Sequence, residues 1–186
     1  MSAHERREQV LDVTLAIVDA EGFHAATPQR IADEAGVTRA VLYQQFGDIA
    51  ALFVALIDRE GSRAAQQLAQ ETAARTGDSF VRILEGAIAA IDARPATWRL
   101  FLVPPEGAPP ALYDRLATSQ SIVRSLVRTE LIAAYPQVAD PDYLARIIHA
   151  AGRELLLLRL TEPEQATPQR LRALVEQLVS LGRSAS

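Results

Sequence analysis

The sequence predicts an all-α protein, with an N-terminal three-helix module built on a helix-turn-helix joined to a larger helical core, about nine helices in all. Three observations carry this. Apolar residues recur at three- and four-residue spacing through almost the whole chain, and no segment alternates as a half-buried strand does. The breaks between periodic segments carry helix-start chemistry, as at Thr27-Pro28, Asp140-Pro141 and Thr167-Pro168. Between residues 27 and 53 two short periodic segments are separated only by Gly36, Val37 and a capping Thr38.

In chain order, residues 1–7 read as a short frayed tail whose Arg6-Arg7 pair is solvated or touches phosphate. Helix one is predicted over about 8–21, with Val10, Leu11, Thr14, Leu15 and Val18 facing inward and Gly22 closing it. Thr27 is the N-cap of helix two, with Pro28 at its first position, where a missing N–H costs nothing. Ile31, Ala32 and Ala35 keep helical spacing until Gly36. Ala32 is small enough for a close crossing, Gly36 makes the turn, and Leu42 packs between the helices.

Helix three follows Thr38. At about 100° per residue, Val41, Leu42 and Phe46 share one face with Gln45 among them. Arg39, Ala40, Tyr43 and Gln44 lie opposite. That outer face suits a major groove: Arg forks to guanine or phosphate, Gln pairs with adenine, Tyr reaches phosphate, and Ala lets the backbone approach. The DNA-facing set is therefore Thr27, Arg30, Thr38, Arg39, Ala40, Tyr43 and Gln44. An ordinary αα-hairpin is the other reading of this stretch.

The stretch resembles the tetracycline-repressor-like (TetR) family of bacterial transcription regulators. The resemblance rests on Gly22-Phe23, Thr27, Ile31-Ala32, Gly36-Val37-Thr38, Leu42-Tyr43, Phe46 and Leu52, over about residues 8–56. Two positions depart from the family's pattern. Gln45 stands where His is usual, at a packed position. Ile49 stands where a phosphate-holding Lys is usual, which removes one expected backbone contact.

The resemblance implies a DNA-binding domain over 1–50 and an effector-binding and dimerisation domain over 51–186. Helix four starts after Asp48 and runs to about residue 75, with Leu52, Phe53, Leu56 and Ile57 as its apolar stripe and a break at Thr76-Gly77-Asp78. Phe80, Ile83, Leu84, Ala87, Ile88 and Ile91 predict a helix ending at Arg94-Pro95. A short helix with Trp98, Phe101 and Leu102 follows, then a Pro-rich loop over 104–110. Further helices are predicted over about 110–134, 141–160 and 168–181.

Relatives of this kind hold a small-molecule pocket among helices four to eight. Trp98, Phe101, Leu102 and Tyr113 are the lining this implies here, with Gln120, His149 and Arg153 as polar anchors and an apolar or aromatic effector as the expected ligand. Each aromatic taken singly also fits a plain core, and His149 a hydrogen-bonded core position. Leu155 to Leu158 and Leu160 make the eighth helix apolar nearly all round, and the ninth offers Leu171, Leu174, Val175, Leu178 and Val179. A helix of that kind needs partners on more than one side. With the resemblance, this predicts a homodimer through 141–181 that reads a double-stranded inverted repeat; a well-buried core helix is the alternative.

Composition excludes more than it assigns. There is no Cys, so neither disulfides nor thiolate metal sites are available. Glu21-Gly22-Phe23-His24 has no second Glu-x-x-His to complete a di-metal carboxylate set, and no Gly-rich phosphate loop or Gly-x-Ser-x-Gly elbow occurs, so no enzyme, metal or cofactor is expected. No apolar run approaches a membrane span and no leader pattern opens the chain, which predicts a cytoplasmic protein. Residues 1–50 hold four Arg against eight acids. That balance predicts weak non-specific DNA binding with a shallow salt slope, checked by titration at several salt concentrations. It is also the one feature favouring a helical protein-binding adaptor instead.

Overall fold

The structure is a computed structural model that describes residues 2–76, 78–103 and 105–184. The helices among these residues are α1 (Ala3–Glu21), α2 (Pro28–Glu34), α3 (Arg39–Phe46), α4 (Ile49–Ala73), α5 (Ser79–Ala93), α6 (Pro95–Leu102), α7 (Pro110–Ala134), α8 (Pro141–Thr161) and α9 (Pro168–Ser184). A 3-10 turn, Phe23–Ala25, joins α1 to α2. The all-α expectation holds. Gly77 of the predicted break and Pro104 of the predicted loop lie outside the described residues.

The predicted frayed tail is corrected: α1 begins at Ala3. Ser2 and Glu5 form a reciprocal capping box, in which Ser2 Oγ accepts the Glu5 N–H at 3.1 Å and the Glu5 carboxylate accepts the Ser2 N–H. Arg7 is fixed as well. Its guanidinium lies 4.3 Å from the centroid of the Phe46 ring and donates to the Gln45 carbonyl at 2.9 Å. A cation there meets the open carbonyls at the end of α3. The inner face of α1 buries Val10, Leu11, Thr14, Ile17 and Val18, while the predicted Leu15 is only partly covered.

The chain forms two compact units. The first comprises residues 1–63 and 96–119, so its packing continues beyond residue 50, and the second comprises 64–95 and 120–186. The first core gathers Val10, Leu11, Ile31, Leu42, Leu52 and Leu56 with Leu100, Leu112 and Leu116 of α6 and α7. Segment 96–119 is thus built into the core of the helix-turn-helix.

That core also holds a carboxylate. Glu60 is completely buried, accepting from Arg59 Nε at 2.9 Å, Arg63 Nη1 at 3.0 Å and the Thr97 hydroxyl of α6. Arg59 reaches Asp12 at 2.8 Å and Arg63 reaches Glu8 at 2.8 Å, which ties α4 to α1.

In the second unit α5 packs on α8 and α9, with Leu84 and Ile88 against Ala166, Leu171, Leu155 and Leu158. Arg159 grips Asp92 through two bonds of 2.9 Å, and Arg172 pairs with Glu85 at 2.7 Å. Where α4 meets α5, Gly86 faces Thr72 so closely that no side chain fits between them. Among the described residues no single helix is long and apolar enough to cross a membrane.

Candidate nucleic-acid interface

The helix-turn-helix is assembled by caps. Thr27 Oγ1 accepts the Arg30 N–H at 3.3 Å and Thr38 Oγ1 accepts the Val41 N–H at 3.3 Å. Each hydroxyl proton is left to donate outward. At the turn, Val37 N–H reaches back to the Ala32 carbonyl at 2.9 Å and Gly36 N–H to that of Asp33 at 3.2 Å, with Gly36 at φ 63°. That left-handed backbone is one that a residue without Cβ adopts freely. Gly47, at φ 83°, makes the next corner, and α4 leaves α3 at 62°. Asp48 caps α4 by accepting the Ala51 N–H at 2.7 Å.

Packing then decides which face of α3 is outward. Leu42 and Phe46 are buried, and Val41 and Gln45 are partly covered. Arg39, Ala40, Tyr43 and Gln44 are all exposed on one surface, with Thr38 beside them. Arg39 lies 5.9 Å from the centroid of the Tyr43 ring and has no carboxylate partner among the described residues. A guanidinium held over an aromatic face keeps its donors presented.

Arg30 is placed differently. Its terminal nitrogens bind both oxygens of Glu21, at 2.6 and 2.9 Å, and its Nε binds Glu34 at 2.7 Å. Those bonds hold the Glu21 carboxyl below its usual range and raise the Arg30 guanidinium further, both through hydrogen bonding first. Residue order shows the Glu34 partner, one turn along α2, but not Glu21, which the turn after α1 brings in. Ile49 packs against the first core, so the position that lacks the family's usual Lys is an apolar contact.

The residues expected around an effector divide between the units. Trp98, Phe101, Leu102 and Tyr113 belong to the first, and Gln120, His149 and Arg153 to the second. Leu102 is buried, Trp98 and Phe101 are partly buried, and Tyr113 turns outward with its hydroxyl donating to the Pro105 carbonyl at 3.0 Å. Trp98 Nε1 is buried without a hydrogen-bond partner among the described residues. Partial burial, followed by the charges of Arg124 and Arg153, holds the His149 imidazole below its usual range. The first unit has a cleft of about 360 Å³ lined by Val18, Asp19, Phe23, His24, Arg99 and Val103 among others, and none of the seven expected residues lines it.

Residues 10–56 match the family of bacterial regulatory proteins named tetR. The chain is similar to the transcriptional activator FasR of Mycolicibacterium smegmatis, 42% identical over 55 residues that are 30% of this chain and 25% of FasR. It is also similar to the transcriptional repressor KstR of Mycobacterium tuberculosis, 39% identical over 59 residues that are 32% of this chain and 27% of KstR. The alignments thus span about a quarter of either relative. A solved TetR-like transcriptional regulator from Rhodococcus sp. RHA1 has the same fold, with a TM-score of 0.71 at 24% identity, covering 94% of this chain and 96% of its own. With its caps, turn and outer face formed over the matched residues, residues 10–56 carry the N-terminal module of the tetR family of bacterial regulatory proteins.

Proposed function

We propose that this TetR-family regulator binds an inverted-repeat operator in double-stranded DNA as a homodimer, acts as a repressor, and is released by a small apolar or aromatic effector. The observation that carries the DNA reading is the outer face of α3, where Arg39, Ala40, Tyr43 and Gln44 stand exposed over a buried Leu42 and Phe46. An Arg and an amide on one groove-sized surface supply direct readout, and the Thr hydroxyls and Tyr position the backbone. The protein works by binding rather than catalysis, in the cytoplasm with the DNA it reads.

Support for the dimer comes from apolar side chains that the single chain leaves in solvent. Tyr143 and Ile147 on α8 are 69% and 62% exposed, and Leu174 and Leu178 on α9 are 43% and 59% exposed. Pairing of these helices with a second copy covers them and sets two reading modules at a fixed spacing. Support for the effector is Trp98 Nε1 of the first unit, buried without a hydrogen-bond partner among the described residues. An effector acts by binding one state of the dimer better than the other. Repression is preferred because occupancy of a promoter suffices for it.

Arg39→Ala tests the DNA face. Operator affinity is expected to fall by about 1–3 kcal/mol with relaxed specificity at one base position, measured by fluorescence anisotropy on matched and mismatched duplexes. Unchanged affinity removes Arg39 from the reading set.

A further inference from the structure

In a helix-turn-helix on DNA the second helix enters the major groove while the first crosses the phosphate backbone. Here the first is α2, and its outward donors are already bonded to acids of the same module. Gln29 Nε2 donates to Asp33 at 2.8 Å. Arg30 donates to Glu21 at 2.6 and 2.9 Å and to Glu34 at 2.7 Å. The groove helix differs, since Arg39 lies 5.9 Å from the centroid of the Tyr43 ring and has no carboxylate partner among the described residues. The reading helix is open and the backbone-crossing helix is occupied.

A carboxylate offers a guanidinium the same paired acceptors as two phosphate oxygens. Glu21 takes both terminal nitrogens of Arg30 in that manner. The side chains of Arg30, Glu21 and Glu34 are 35%, 52% and 45% exposed, so a phosphate reaches them without repacking of the core. Exposed pairs of this kind are weak enough to exchange. They also set two negative charges where the DNA backbone approaches.

We propose that Glu21 and Glu34 stand in for a DNA phosphate on Arg30 and hold down the affinity of the module, the guanidinium passing from Glu21 to a backbone phosphate when DNA binds. The proposal rests on the DNA-binding reading above. Because phosphates carry no sequence information, this restraint lowers operator and non-specific binding alike. It leaves discrimination to Arg39, Tyr43 and Gln44.

The test uses the full chain as wild type, Glu21→Gln/Glu34→Gln, Arg30→Ala and the triple variant, each titrated with operator and shuffled duplexes over a range of salt. The double variant is expected to bind both duplexes about 3–10-fold tighter, with a log–log salt slope steeper by about 0.9, the value for one further phosphate contact. The operator-to-shuffled ratio stays the same, and the gain disappears when Arg30→Ala is added. Single Glu21→Gln, which keeps the Glu34 pair on α2, is expected to give an intermediate gain and covers the case of a poorly folded double variant. No gain overturns the proposal. A gain that persists without Arg30 also overturns it, since the acids would then act by repelling DNA in general. Arg39→Ala serves as the control for the underlying reading: unchanged operator affinity there breaks the DNA face whatever the glutamates do.

Discussion

Glu60→Ala is expected to destabilise the first unit by about 3 kcal/mol, read as a lower melting temperature at fixed protein concentration. The carboxylate it removes is fully buried and accepts from Arg59, Arg63 and Thr97. Deleting one member of such a group strands the others. Arg59, with a side chain only 10% exposed, keeps Asp12 and Glu8, but the Thr97 hydroxyl loses its partner and a cavity opens beside it. Glu60→Gln keeps the shape and one acceptor, so its expected cost is smaller. Thr97→Val removes one hydrogen bond, at about 1 kcal/mol. A Glu60→Ala variant as stable as wild type would mean that the three donors find water or other acceptors, and the tie from α4 to α1 and α6 would fail with it.

The second large effect is one of sign. Gly86 lies within α5, where alanine normally favours the helix by about 1 kcal/mol. Here a Cβ would stand 2.6 Å from Thr72 Oγ1, 3.1 Å from Thr72 N and 3.3 Å from Thr72 Cα. A side-chain oxygen can turn away, but backbone atoms of a packed helix cannot. Gly86→Ala is therefore expected to destabilise the second unit by about 2–3 kcal/mol, because overpacking outweighs propensity. Gly61→Ala is the internal control. Its Cβ would meet Phe101 at an ordinary 3.6 Å, so it is expected to be neutral or stabilising by up to about 1 kcal/mol. Gain at both positions, by thermal melting, would show that α4 and α5 are not in close contact at Thr72.

Local chemistry made most of the fold legible. Thr27-Pro28, Thr38, Asp48, Asp78 and Asp140-Pro141 each cap the helix that the apolar spacing announces. The same spacing alone separates Leu42 and Phe46 from Arg39, Ala40, Tyr43 and Gln44. The start of α1 was within reach too, since Ser2 and Glu5 have the spacing of a capping box, yet the charged opening reads as a tail. Other features depend on partners distant in sequence. Glu60 sits on a helix with an evident apolar stripe, and nothing in residue order places Thr97 and two arginines around it. Gly86 reads as a weak point in a helix until Thr72 is found against it. Arg30 reads as a free cation until the turn after α1 delivers Glu21. A cation count of the module therefore overstates what α2 presents to DNA.

Whether α3 reads sequence as part of a symmetric dimer is decided by selecting bound duplexes from a random DNA pool. The selection is run at moderate salt with no added small molecule. A short inverted repeat is expected to be enriched, and the enrichment to be lost for a protein carrying Arg39→Ala and Tyr43→Ala. A folded, dimeric protein that enriches nothing would contradict that reading and return the outer face of α3 to an ordinary solvated helix surface.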